Sequence, residues 1–437
     1  MRTSIVNSNV VAILYGFQPL FEVKPLTCDQ VDGNVTKGLP YATQHYMVDF
    51  ILSNILNSGI QAIGICNQRN AKSVLDRARF LASRSKKPVR TSLCIVPPVL
   101  GCHFKNKFEK STDDLLVRSM VNFVKQHHPC KVALIRCDSL YLMDMNQMVN
   151  QHQMQNADIT ITAKPLPITD IVGESVVVVN ADNRVLDIET HSTQPSSMPY
   201  DTSQSLVDVG HYLIDSARFI ECVPKLPGGG VSTLGQQLVA CHAKDFRVMA
   251  YDLSENKIPG VTAFKSNDFW HRITTVDDYF DAHQELLASK VYYHYDNQYW
   301  PIPVNEIEIP LGNKLYGFIT NTLIGSRISV GHNARIRNSI IRDNVQIDEG
   351  VMLDSCIVMD GAHIKKDAQL RRAIVTPDFV VKCNDCIGFD LLSDLRRYYV
   401  TPSGVVVVSR AAFDVLLQIP PVQLRNQNVL NSTSGTE

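Results

Sequence analysis

The stretch VGHNARIRNSIIRDNVQIDEGVMLDSCIVMDGAHIKKDAQLRRAIV, residues 330–375, repeats itself every 17 residues. Val330, Ile336 and Ile341 recur as Ile347, Leu353 and Val358, and again as Ile364, Leu370 and Val375. The apolar positions are spaced six, five and six residues apart, so each unit holds three short strands joined by corners. A strand of two or three residues that buries one side chain is unstable alone and becomes stable only when stacked on neighbouring coils. A sandwich of short strands would show period-two alternation, which is weaker here. The pattern predicts a left-handed parallel β-helix of about four coils, and Ile319 and Ile324 fall on the same grid one coil earlier.

Toward the N-terminus the rhythm changes. Short apolar runs (VVAIL, IQAIGIC, KVALIRC, ADITITAKPL) alternate with helix-like segments (VDFILSNILNSG, AKSVLDRARFLAS, YLMDMNQMVNQHQMQ). This is the βαβ order of an α/β sheet, in which ligands bind beyond the carboxyl ends of the strands. The loops after Leu14, Cys66 and Cys137 are therefore the ones to inspect. The expected organisation is a sheet domain over 1–290, an aromatic and proline-rich connection over 291–312, the β-helix over 313–424 and a polar, disordered tail over 425–437.

Composition narrows the function. The 437 residues include 42 basic and 43 acidic side chains, and a net charge of -1 gives no electrostatic reason to expect nucleic acid or an acidic membrane as partner. No run of 18 apolar residues exists and the N-terminus does not read as a secretory signal, so a cytoplasmic protein is expected. Eleven cysteines, an odd number, suit reduced thiols; Cys383 and Cys386 in VKCNDCIG lack two further ligands for zinc.

Four long motifs occur in order: VDFILSNILNSGIQAIGICNQ (48–68), SSMPYDTSQSLVDVGHYLID (196–215), YDNQYWPI (295–302) and LRRYYVTPSGVVVVSR (395–410). They are similar to IDFxLSNxxNSGI, PSMPxDPxxSLxSMGIYVFD, YDRNWPI and RRFYxSxxGIVLVTR of the glucose-1-phosphate adenylyltransferases, or ADP-glucose pyrophosphorylases. The chain resembles this family from about Val10 to about Phe413. The resemblance implies a Rossmann-like nucleotidyltransferase domain with a mixed sheet, followed by the left-handed β-helix. It also implies the reaction of ATP with glucose 1-phosphate to give ADP-glucose and pyrophosphate, for glycogen or starch, in a tetramer.

Measured against the family's motifs, the site departs in several places. Where the family has AGGxGTRLxxLT this chain has YGFQPLFEVKPLT (15–27), which leaves Gly16 alone among bulky residues that oppose a phosphate-cradling loop. Gly16, Gln68 and Thr112 are the vestigial nucleotide positions implied by the resemblance, and Gly210, Tyr212 and Trp270 the vestigial sugar positions. Asp138 in LIRCDSLY matches the magnesium-binding aspartate of ILAGDHIY, although an aspartate there could equally cap the next helix. The second carboxylate of YWRDVGT is Arg272 in FWHRITT, and the EFVEKP segment becomes DIETHS, with Thr190 and His191 in place of its Glu and Lys. The run PGGGVSTLG (227–235) reads as a loop rather than a phosphate site.

The expectation is a catalytically silent, regulatory homologue that joins an active subunit in a homo- or hetero-tetramer, with magnesium needed only if activity survives. The alternatives are an active adenylyltransferase with an altered site and a stand-alone sensor of sugar phosphates or nucleotides. By resemblance, a small-molecule effector, either a sugar phosphate or an adenine nucleotide, would be held between the domains by Arg410, Arg371, Arg372, Lys37 and His45.

Overall fold

The computed structural model describes residues 9–16, 39–66, 71–84, 92–96, 111–171, 173–190, 192, 194–226, 233–261, 269–288, 297–304 and 314–409. Lys37, Gln68, His191 and Arg410, most of the glycine-poor loop and the C-terminal tail lie outside these residues, as does the side chain of Thr112.

Nine strands form one mixed sheet: β1 (Val10–Tyr15), β2 (Ala62–Ile65), β3 (Ser92–Ile95), β4 (Lys131–Arg136), β5 (Ile159–Pro167), β6 (Val176–Val179), β7 (Val185–Glu189), β8 (Gln204–Asp215) and β9 (Val248–Asp252). The order is β7-β6-β8-β4-β1-β2-β3, with β5 pairing both β8 and β9. Strands β4, β1, β2 and β3 run parallel, whereas β8 is antiparallel to β4 and to β5. Strand β1 is buried along its whole length, which explains why its sequence is a continuous apolar run rather than an alternation. Helices cover both faces, and the buried apolar side chains fall into one cluster on each.

The 17-residue period is the pitch of the second domain. Phe318–Thr320, Arg335–Arg337, Met352–Asp354, Gln369–Arg371 and Cys386–Ile387 stack in parallel register as one face. A second face runs from Lys314–Leu315 to Val380–Val381, and a third from Leu323–Ile324 through Ala373–Val375 to Val406–Val408. Ile336, Leu353 and Leu370, each at 1% exposure, occupy the same inward position in successive coils. Corners are turned by residues in the left-handed region, among them Asn333, Asn344, Asp367 and Asn384, residue types that tolerate it. The last coil is enlarged: Val375 pairs with Val408, and the intervening chain carries the short helix Leu391–Asp394 and the strand Tyr399–Val400.

The third face packs on the sheet domain. Ile340, Ile357, Ile374, Val405 and Val407 share a core with Tyr41, Phe50, Phe280 and Trp300. A buried charge ties the two domains together. Arg342, 2% exposed, donates from Nη1 to the carbonyl oxygens of Tyr41 (3.3 Å), Ala42 (2.9 Å) and His45 (3.3 Å), while its Nε donates to Asp360 at 2.9 Å. The carbonyls belong to the turn that leads into helix Met47–Asn57, so the coil holds the start of that helix in place. Among the described residues no helix is long and apolar enough to cross a membrane.

Candidate active site

Asp138 follows β4, at the carboxyl end of the central parallel strands, where the sheet topology places ligands. It does not cap a helix. The next helix, Met145–Met154, is capped by Asp144, whose side chain accepts from the Asn146 amide. Instead Asp138 leads into the short strand Ser139–Tyr141, which pairs antiparallel with Trp270–Arg272 and sets Arg272 opposite Ser139.

Two guanidinium groups therefore converge on one carboxylate. Arg136 Nε lies 2.8 Å from Asp138 Oδ2, and Arg272 Nε lies 3.7 Å from the same oxygen. Ser139 Oγ donates to the other oxygen, Oδ1, at 2.9 Å. Arg272 also binds Glu174 and donates to the carbonyl oxygen of Asp208. The fully buried Asp208 carboxylate completes the cluster: Oδ1 accepts from the Gly210 amide (2.8 Å), and Oδ2 accepts from Tyr212 Oη (2.8 Å) and Gln236 Nε2 (3.0 Å), with Arg136 Nη1 4.0 Å away.

The charges hold one another in the ionised state. Burial alone would raise the Asp138 pKa, but Arg136 and Arg272 bring it below the ordinary carboxylate value. Burial works against charge on Arg136 as well, and Asp138 and Asp208 more than offset it, so its pKa ends raised. For Arg272, burial and the neighbouring Arg136 lower the pKa to about 10, which still leaves it protonated at neutral pH. His211, buried beside this cluster, has its pKa lowered to about 3 by burial and by Arg136.

Two glycines make room for this arginine. A Cβ on Gly16 would come within 2.7 Å of Arg136 Cγ, and one on Gly210 within 2.6 Å of Arg136 Nε; both glycines also have positive φ, +67° and +90°. Tyr15, next to Gly16, donates its buried hydroxyl to the Gly210 carbonyl at 3.0 Å. The side chain of Arg136 is thus threaded between the end of β1 and the bend in β8.

Several of the residues singled out from sequence meet here. Gly16, Gly210, Tyr212, Asp138 and Arg272 surround the cluster, and Trp270 lies under the Arg272 guanidinium, with 5.4 Å to the ring centroid. Tyr212 is fully buried with its hydroxyl committed to Asp208. Thr190 is exposed just after β7 and makes no contact with the cluster. Of the expected effector group, the described members Arg371, Arg372 and His45 do not share one surface. Arg371 stacks on Phe389 (5.0 Å) on the outer face of the coils, whereas Arg372 stacks on the buried Phe280 (5.1 Å) at the domain interface. The reason is a corner: Arg372 has φ of 48°, which turns the chain between the two side chains. His45 is also sequestered, at 5% exposure, with Nε2 donating to the Ile302 carbonyl at 3.3 Å and its pKa lowered to about 4 by burial.

Sequence reading passed over Arg136, Asp208 and Glu174. A signal existed for the first: LIRCD sets Arg136 and Cys137 where the motif ILAGD has Ala and Gly, a change from small to large directly beside the aspartate.

A magnesium ion needs several oxygen ligands in near-octahedral array. The donor set does not fit one. Asp138 faces two guanidinium groups, and among the described residues no three His, Cys, Asp or Glu side chains are grouped to hold a metal.

Comparison with known proteins agrees with both domains. The Nucleotidyl transferase family model matches residues 23–289, and the model described as GlmU-like, C-terminal hexapeptide matches residues 312–408. The glucose-1-phosphate adenylyltransferase of Thermodesulfovibrio yellowstonii is 28% identical over 378 residues, covering 86% of this chain and 90% of the relative. That of Anaeromyxobacter sp. is 27% identical (85% and 92% covered), and that of Corynebacterium jeikeium 25% identical (92% and 98% covered). With one family model spanning more than half of the chain and the relatives collinear across both domains, the chain belongs to the nucleotidyl transferase family and is a homologue of its glucose-1-phosphate adenylyltransferases.

Proposed function

We propose that this chain is a catalytically silent homologue of the glucose-1-phosphate adenylyltransferases, serving glycogen synthesis as a regulatory subunit alongside an active one. The observation that carries this reading is the pair of guanidinium groups on Asp138. Transfer of an adenylyl group is mostly positioning plus stabilisation of charge on the phosphates, and a divalent cation is the main source of that charge. A dication brought up to Asp138 would meet Arg136 and Arg272 within a few ångströms, a repulsion of several kcal/mol even at a high effective dielectric. The lost glycines of the 15–27 segment point the same way, because Tyr15 and Gly16, its first residues, pack around Arg136 rather than around a phosphate.

The scaffold, by contrast, is intact. The coils stack in unbroken register on a closed core, which supports a folded scaffold that assembles into a tetramer of the family's type. The test is direct. Purified protein with ATP, glucose 1-phosphate and Mg²⁺ should make no ADP-glucose, and a turnover of about 1 s⁻¹, a low but ordinary enzyme rate, that disappears in Asp138→Asn would overturn the proposal. Sedimentation alone and in mixture with an active homologue tests the assembly, which a strict monomer in both samples would remove.

A further inference from the structure

The outer face of the coils that lies away from both the sheet domain and Asp138 carries a groove of about 470 Å³. Its walls come from two columns of outward side chains. The register Phe318, Arg335, Met352 forms one, and Arg337 and Arg371 lie in the other, with Phe389 closing the end. This volume is in the range of sites for small organic ligands.

The chemistry of the walls is specific. Three guanidinium groups face the groove against a single carboxylate, Asp354, and Arg337 pairs with that one at 2.9 Å. Arg335 has no hydrogen bond or ion pair with any described residue, and Arg371 is engaged only by the face of Phe389. Phe318 leaves 69% of its surface exposed and Phe389 51%, large values for phenylalanine. Arginine offers a planar, bidentate match to phosphate, and an exposed ring offers a stacking face to a flat heterocycle. Coils repeat at roughly 4.8 Å, so Arg335 and Arg371, two coils apart, are separated by about 10 Å along the stack.

We propose that this groove binds a nucleoside phosphate, with the phosphates on Arg335 and Arg371 and the base against Phe318. The face is unsuited to pairing with its own copy, because that would bring two arginine-rich surfaces together. Neither the metal nor the vestigial nucleotide position is involved, so the inference stands independently of whether the sheet domain is silent.

The experiment is a calorimetric titration of the full chain with ADP in EDTA, with inorganic pyrophosphate and adenosine as separate probes. Absence of metal keeps any binding at Asp138 from being mistaken for binding in the groove. Saturable ADP binding is expected, tighter than that of either probe, and weakened about tenfold by Arg335→Ala and by Arg371→Ala, the loss of one charge-assisted contact. Phe318→Ala should weaken ADP but leave pyrophosphate unchanged, and Asp138→Asn should change neither. No ADP binding by wild type, or ADP binding indifferent to both arginine variants, would overturn the proposal. If Arg335→Glu alters sedimentation of the chain with an active homologue while ADP binding is absent, the groove is a protein interface and not a ligand site. ADP-glucose synthesis measured on the same preparations tests the earlier reading separately.

Discussion

Replacing Arg136 with methionine keeps a flexible, unbranched stem between Gly16 and Gly210 and removes the guanidinium group with its charge. What is left behind decides the outcome: Asp138 at 6% exposure and Asp208 at 0%, with Arg272 as the remaining nearby cation. Stripping one partner from a buried ion pair costs about 3–5 kcal/mol, because the other charge stays desolvated. Against a total stability of roughly 5–15 kcal/mol, Arg136→Met should lose about a fifth or more. The loss should also depend on pH with a definite sign. In the wild type the Asp138 pKa is depressed, so its contribution is complete above the unfolded value near 3.9 and is unchanged between pH 7.5 and 5. In the variant, burial is no longer countered by Arg136, the pKa rises, and uptake of a proton relieves the penalty as pH falls below the new value. Each unit of that interval returns about 1.4 kcal/mol. Urea unfolding followed by fluorescence of the two buried tryptophans, Trp270 and Trp300, at pH 7.5 and pH 5 reads both effects. Arg337→Met, which breaks the exposed pair with Asp354, is the control and should stay within about 1 kcal/mol. A loss for Arg136→Met below about 1 kcal/mol at pH 7.5, or one equal at both pH values, would refute the reading of the cluster as a set of mutually dependent charges.

Acid should destabilise the wild type for a different reason. His45, His211 and His283 are buried and neutral with pKa lowered to about 4, 3 and 3. Their stabilising effect is therefore complete above the unfolded value near 6.5 and lost as pH falls, about 2 kcal/mol each by pH 5. A urea midpoint that stays flat from pH 7.5 to 5 would contradict this, and His283→Asn should flatten the fall by about a third. Arg342→Ala strands the carbonyls of Tyr41, Ala42 and His45 at the domain interface; a loss of about 3 kcal/mol is expected. Calorimetry should then resolve two transitions where the shared core predicts one for the wild type, and a single unshifted transition would mean that apolar packing alone joins the domains.

The coils were legible in sequence because each short strand spends one residue on the core, and a 17-residue period leaves little else that could bury Val330, Leu353 and Val375 together. The sheet was legible from its apolar runs for the same reason. Arg272 was legible as a site position once the resemblance supplied a place for it, and the structure sets it beside Asp138. Arg136 showed only as a large residue where the motif has a small one, and Asp208 not at all, because a charge within a strand gives no hint of which distant strand supplies its partner. Antiparallel pairing of β8 with β4 brings them together, and that is a property of topology rather than of local pattern. The split between Arg371 and Arg372 was hidden as well, because adjacent residues share a surface in most conformations but not across a left-handed corner.

The threading of Arg136 between Gly16 and Gly210 bears on the routes by which such a site could change. Arg136 and Arg272 each neutralise carboxylates that the other cannot reach alone: Arg136 lies toward Asp208 Oδ2, and Arg272 holds Glu174. A lineage that lost Arg136 would pass through a protein in which the buried Asp138 and Asp208 have lost their shared cation, several kcal/mol less stable than its parent. Stability thresholds remove such intermediates. A cation-binding site at Asp138 would therefore need changes both on β4 and on the strand Trp270–Arg272, and the interlocked charges act as a ratchet that makes the present arrangement easy to keep and hard to alter.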